Sequence, residues 1–269
     1  MTAIDGPTLS RAESADDVRS PAAGEVHVWY VDIDSGALSS AAELLSPDEV
    51  ERARRFRFER DRRRFILARA ALRRRLGSYL GGSPQDVHFA YGANGKPVLS
   101  APADPELRFN VSHSGGRALL GFTCGGEVGV DLERLVAVPD ALDLAARFFA
   151  PAERAALETV EPDLRSRAFL NGWTRKEAFV KALGEGLGFP LDRFEVSLHP
   201  DEPARLLALG NGDPTAWTLS GLEPEVGYLA AIAVRGRGYE VMMCGSPTNA
   251  ASAQALRVST ATPSVEAQQ

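Results

Sequence analysis

The stretch WTRKEAFVK, Trp173 to Lys181, sets two large aromatics beside Lys176, Glu177 and Lys181. On a helix, Trp173, Glu177 and Lys181 fall in one row, because residues four apart are surface neighbours. Such a row is ordinary decoration of an amphipathic helix. It is equally a carboxylate and an ammonium placed to handle a proton and an anion. Acids recur in pairs elsewhere: Asp32 and Asp34 in VDID, Asp131 and Glu133 in VDLE. On a strand, residues two apart share a face, so each pair could hold a divalent cation or simply end a strand in water. His113, in NVSHSGG, is either a structural histidine or a donor beside a glycine turn that suits an anion. Gly95-Lys96-Pro97 reads as a turn with an exposed lysine. From Arg52 to Arg75 the chain is strongly basic, which fits a solvated helix face or a local anion site.

The elements that must position these residues repeat. VHVWYVDID, near residue 30, is echoed by EVGVDLE ending at Glu133. LSPDEVERARRF, from Leu45, is echoed by FAPAERAALETV from Phe149. RRRFILARAALRRRLG, ending at Gly77, is echoed by AFLNGWTRKEAFVKALG ending at Gly184. A strand, a short helix and a longer helix thus occur twice in the same order. Ser46-Pro47-Asp48-Glu49 marks a helix start, with Ser46 as cap and Glu49 completing a capping box. Four further runs, RFNVSH, RALLGFTCG, FEVSL and YLAAIAV, suit sheet positions. The expected fold is α+β: two similar, pseudo-symmetric halves at 24–126 and 127–245 with the active site in the cleft between them. Tails at 1–23 and 246–269, rich in Ala, Ser, Thr and Pro, are expected to be loose. Where the copies differ, function has room: counting back from Leu-Gly, Ala70 stands where the second copy has Glu177.

A chain of 269 residues with 44% hydrophobic and 25% charged residues has the balance of a globular protein. No apolar run approaches the roughly 20 residues that span a bilayer. The first residues lack a secretory pattern, so a cytoplasmic location without membrane contact is expected. Cys124 and Cys244 have no ligand neighbours at zinc spacing and are expected to be free thiols. A net charge of −6 speaks against nucleic acid along the whole surface.

Taken together, NGKPVL at Asn94–Leu99, FNVSHSGG at Phe109–Gly116, GVDLER at Gly129–Arg134 and WTRKEAFVKALGEGL at Trp173–Leu187 resemble, in that order, the 4′-phosphopantetheinyl transferases of the Sfp type. The resemblance spans most of the chain between its tails. It implies Mg²⁺-dependent transfer of the phosphopantetheine arm of coenzyme A to a serine of an acyl or peptidyl carrier protein. The other product is adenosine 3′,5′-bisphosphate, and polyketide or nonribosomal peptide synthesis is the implied setting. It also implies that Asp131 and Glu133 are the metal pair, with Mn²⁺ as a possible substitute ion. Glu177 is implied as metal ligand or base, two roles left open, and Lys181 as a contact of the leaving group. Arg64, Gly95, Lys96, Pro97, Ser112, His113 and Lys176 are implied as coenzyme A contacts. Glu49 departs from the pattern, since some relatives carry a lysine there. Two other classes compete: a coenzyme A-binding regulator of the same fold without the chemistry, and a nucleic-acid binder using the Arg52–Arg75 run. Because the repeat supplies both sides of the cleft, a monomer is expected.

Overall fold

The computed structural model describes residues 10–11, 19–92 and 95–244. Most of both expected tails, and Asn94 of the NGKPVL motif, lie outside the described residues. The first half runs β2 (Glu25–Asp32), α1 (Leu38–Ala42), α2 (Pro47–Arg54), α3 (Glu59–Tyr79), β3 (His88–Tyr91), β4 (Pro97–Ala101), β5 (Leu107–Ser114) and β6 (Arg117–Cys124). The second repeats that order as β7 (Val128–Arg134), α4 (Ala141–Phe148), α5 (Pro151–Thr159), α6 (Arg165–Leu183), β8 (Phe194–Val196), β9 (Leu206–Leu209), β10 (Trp217–Leu222) and β11 (Tyr228–Arg235). Among the described residues two strands stand outside the repeat, β1 (Ser10–Arg11) and β12 (Glu240–Cys244). The α+β, pseudo-symmetric expectation therefore holds.

Each half folds its three long strands in the same order: β2-β6-β5 in the first sheet and β7-β11-β10 in the second. β12 returns from the second half to lie parallel to β2, and β1 pairs with its outer edge. The sheets pack face to face over Val26, Val28, Leu119, Val130, Leu132, Ile232 and Val241. Strand alternation turns the opposite faces toward the long helices. Trp29, Leu120 and Phe122 meet Leu72 and Leu76 of α3, while Ala231 and Ala233 meet Ala178 and Phe179 of α6. Among the described residues, no helix is long and apolar enough to cross a membrane.

The short helices α2 and α5 share a device. Glu49 accepts the Ser46 N–H at 3.0 Å, as the sequence suggests, and Glu153 accepts the Ala150 N–H at 2.8 Å, closing the second helix start in the same way. The Ser46 hydroxyl instead donates to Asp48. Both glutamates are buried, and each meets a cation of the following long helix: Glu49 meets Arg73 at 2.6 Å and Arg69 at 3.4 Å, Glu153 meets Lys176 at 2.7 Å. Glu49 is thus an internal strut of the first half, which accounts for an acid at that position.

Candidate active site

The ladder registers separate the two acidic pairs. In the first half Asp32 faces Arg117 at the start of β6; in the second, Arg134 faces Tyr228 at the start of β11. Counting back from these ends, Asp131 and Glu133 correspond to Trp29 and Val31, not to Asp32 and Asp34. The VDID/VDLE echo is therefore out of register with the fold, and on a strand such a slip moves side chains to the other face. Asp32 is ion-paired with Arg117 at 3.2 Å, and Asp34 holds Arg64 through two hydrogen bonds of 2.6 and 2.8 Å. Arg64 pulls the Asp34 carboxyl below its ordinary pKa. The first pair is committed to arginines.

Gly129, Asp131 and Glu133 share the α6 face of β7. A Cβ on Gly129 would lie 2.0 Å from the Ala178 carbonyl oxygen and 2.3 Å from the Ala182 nitrogen. Only glycine lets α6 approach this closely. The approach brings Lys181 Nζ to 2.6 Å from Asp131 Oδ1 and 3.1 Å from Ser112 Oγ. Asp131 is buried, and its second oxygen, Oδ2, has no partner among the described residues. Glu133 and Glu177 are half-buried. Burial first, and then the neighbouring Asp131 charge, lift both carboxyls above the ordinary glutamate pKa. Three mutually repelling acids and an unpartnered buried oxygen fit a bound cation better than they fit an ordinary core. Among the described residues no group of three or more His, Cys, Asp or Glu side chains is placed to hold a metal ion by itself, so a cation here would rest on two carboxylates with waters and substrate oxygens. An open set of carboxylates suits Mg²⁺, which keeps waters and substrate phosphates among its ligands.

Two adjoining cavities flank the strand end. One, of 250 Å³, is lined by Gly95, Lys96, Pro97, Glu177 and Lys181 among others; the other, of 470 Å³, by Arg52, Arg64, Phe65, Arg69 and His113. Gly95, Pro97 and Val111 border both, so they form one groove between α3 and α6. His113 lines it, with its pKa held below the ordinary value through desolvation and then through the Lys181 and Arg64 charges. A neutral imidazole there can donate one hydrogen bond and accept another.

The structure thus brings together Arg64, Gly95, Lys96, Pro97, His113, Asp131, Glu133, Glu177 and Lys181. It places two expected contacts differently. Lys176 is fully buried: its ammonium donates to the Leu191 and Phe194 carbonyls, each at 2.7 Å, and meets Glu153. All three N–H bonds are used away from the groove. Ser112 points to the side of β5 opposite His113, toward Asp131. Lys96 reaches the groove with its stem, but its ammonium donates at 2.7 Å to the Lys181 carbonyl near the end of α6. A cation is favourable there. Asn110 and Ser114 were missed by sequence reasoning. The period-two polar series Asn110, Ser112, Ser114 along β5 was the signal.

Comparison with known proteins follows the same lines. The model for the 4′-phosphopantetheinyl transferase superfamily matches residues 127–233, and that for the 4′-phosphopantetheinyl transferase N-terminal region matches 34–122. The chain is 40% identical over 219 residues to 4′-phosphopantetheinyl transferase HetI of Nostoc sp., covering 80% of this chain and 90% of that protein. It is 34% identical over 158 residues to 4′-phosphopantetheinyl transferase Sfp of Bacillus subtilis, covering 59% and 68% of the two chains. A solved ACPS–CoA complex from Chronobacterium ammoniagenes is 22% identical, with TM-score 0.30, over 42% of this chain and 98% of that one.

Proposed function

Since the chain belongs to the 4′-phosphopantetheinyl transferase superfamily and is an enzyme of that class, we propose that its groove binds coenzyme A and delivers the phosphopantetheine arm to a serine of an apo carrier protein. The carrier serine oxygen forms a bond to the β-phosphorus, the bond to the bridging oxygen breaks, and adenosine 3′,5′-bisphosphate leaves. Asp131 and Glu133 would hold a Mg²⁺ or Mn²⁺ ion, which when bound neutralises and orients the diphosphate. Glu177, free of hydrogen bonds among the described residues and with its pKa raised, takes the serine proton. Lys181 releases part of its hold on Asp131 as it meets the charge growing on the departing phosphate. Arg64 and His113 line the wider cavity, where the nucleotide phosphates and adenine fit. The carrier domains served are those of polyketide or nonribosomal peptide synthases, and the enzyme acts as a cytoplasmic monomer.

The observation that carries this reading is the unpartnered Asp131 Oδ2, buried beside Lys181, with the groove opening past Glu177. The test is to incubate the protein with Mg²⁺, coenzyme A and an unmodified peptidyl or acyl carrier protein, then take the carrier's intact mass. A gain of one phosphopantetheine, abolished by chelation, supports the reading. Coenzyme A binding without any gain on either carrier would instead identify a binding regulator of the same fold.

A further inference from the structure

The two sheets meet along β5 and β7, each at an edge of its own sheet. Side chains, rather than a backbone ladder, close that joint. Asn110 Oδ1 accepts the Val130 N–H at 3.0 Å, Ser112 Oγ the Leu132 N–H at 3.3 Å, and Ser114 Oγ the Arg134 N–H at 3.1 Å. Every second residue of β5 thus takes every second amide of β7. Because a backbone N–H can only donate, it receives nothing from a hydroxyl, and each serine is left with one proton to place. Ser112 directs its proton to Asp131 Oδ1 at 2.9 Å, and Ser114 directs its own to Glu133 Oε2 at 2.9 Å. One oxygen of each acid is anchored to the opposite half of the molecule. The Asp131 oxygen that remains, Oδ2, is the unpartnered one.

We propose that Ser112 and Ser114 are positioning residues that aim the Asp131 and Glu133 carboxylates at the cation, so that the half-to-half joint and the metal site are one structure. This rests on the reading that these two acids hold a divalent ion. It assigns Ser112 away from the phosphates of coenzyme A, and gives Ser114 a role of its own. Partners that orient metal-binding side chains are worth about 10- to 100-fold in metal affinity.

The test is Mn²⁺ titration followed by electron paramagnetic resonance, without coenzyme A, on the full chain and four variants, Ser114→Ala, Ser114→Thr, Asn110→Ala and Asp131→Ala. Ser114→Ala is expected to raise the Mn²⁺ dissociation constant about tenfold, while Ser114→Thr, which keeps the hydroxyl, stays within about twofold. Asn110→Ala removes a joint hydrogen bond that touches neither acid. It is expected to lower the thermal midpoint and leave Mn²⁺ affinity within about twofold. Equal weakening by Asn110→Ala and Ser114→Ala would overturn the proposal, because loosening of the joint would then be the whole effect. Wild-type affinity in Ser114→Ala would overturn it as well. A second arm measures coenzyme A binding to Ser112→Ala by calorimetry in chelator; unchanged affinity agrees with the proposal and a lost contact contradicts it. If wild-type protein and Asp131→Ala bind Mn²⁺ equally, the metal reading itself falls and takes the inference with it. That pattern differs from a failure confined to the serines.

Discussion

Lys176 and Glu177 are neighbours in sequence and opposites in role. Glu177 faces the groove without a hydrogen bond among the described residues, so Glu177→Gln is expected to fold normally. With Glu177 as the proton acceptor proposed above, this variant is expected to lower kcat/KM by about 10²- to 10⁴-fold, readable as the rate of carrier mass gain. Lys176→Met leaves Glu153 charged and buried without its cation. Breaking such a pair costs about 3–5 kcal/mol, which thermal unfolding would register. The fraction that remains folded should bind coenzyme A as the wild type does, because Lys176 touches none of the groove. A coenzyme A affinity lowered in proportion to activity would restore Lys176 to the phosphates. The acids also set a pH dependence. Burial raises the Glu133 and Glu177 pKa above the ordinary 4.5, so the folded chain holds these protons more tightly than the unfolded one. Their effect favours folding below 4.5 and turns against it as the pH climbs through the raised values. In chelator, Glu177→Gln should therefore be more stable than wild type at neutral pH, with the gap closing on acidification. A constant gap across that window would contradict the assignment.

At the scale of elements, the approach of α6 to β7 decides whether there is a site. Gly129→Ala would drive a methyl group against helix backbone rather than a yielding side chain. Overpacking of this kind costs about 1–3 kcal/mol, and here the helix must withdraw Lys181 and Glu177 from Asp131 as it relaxes. Folded but inactive protein with a lowered thermal midpoint is the expected result. Normal turnover would mean that α6 can slide without loss. Helices, strands and their duplication were legible in the sequence because hydrophobic period and capping residues are local signals. Strand register was not. VDID resembles VDLE in residue type at each position, but pairing is decided across the sheet, where Asp32 meets Arg117 and Arg134 meets Tyr228. Nor does a lysine announce in its own letters whether it points to water. Lys176 and Lys181 lie on one helix, and partners remote in sequence, Glu153 of α5 and the Leu191 and Phe194 carbonyls, reveal that the first is internal.

For the whole molecule, the duplication explains more than the groove. Glu49 and Glu153 occupy matching struts, yet the cations they meet differ, and only the second half places a carboxylate where the first has Ala70. The residues of the candidate site were legible as a set because four motifs stood in order; the joint beside them was not, since its hydrogen bonds join residues about 20 apart. The return of β12 to the first sheet carries a consequence for synthesis. One edge of β2 is covered by β6, but the other waits for Glu240–Cys244. An emerging chain therefore holds EVHVWYVD, rich in strand-forming residues, open along one side until nearly all of the described sequence has left the ribosome. Chains stopped before Glu240 should accumulate as self-associated material in sucrose gradients, while chains reaching Cys244 sediment as single molecules. On that expectation β12 acts as a latch, closing the edge of β2 at which a growing polypeptide would otherwise seek partners.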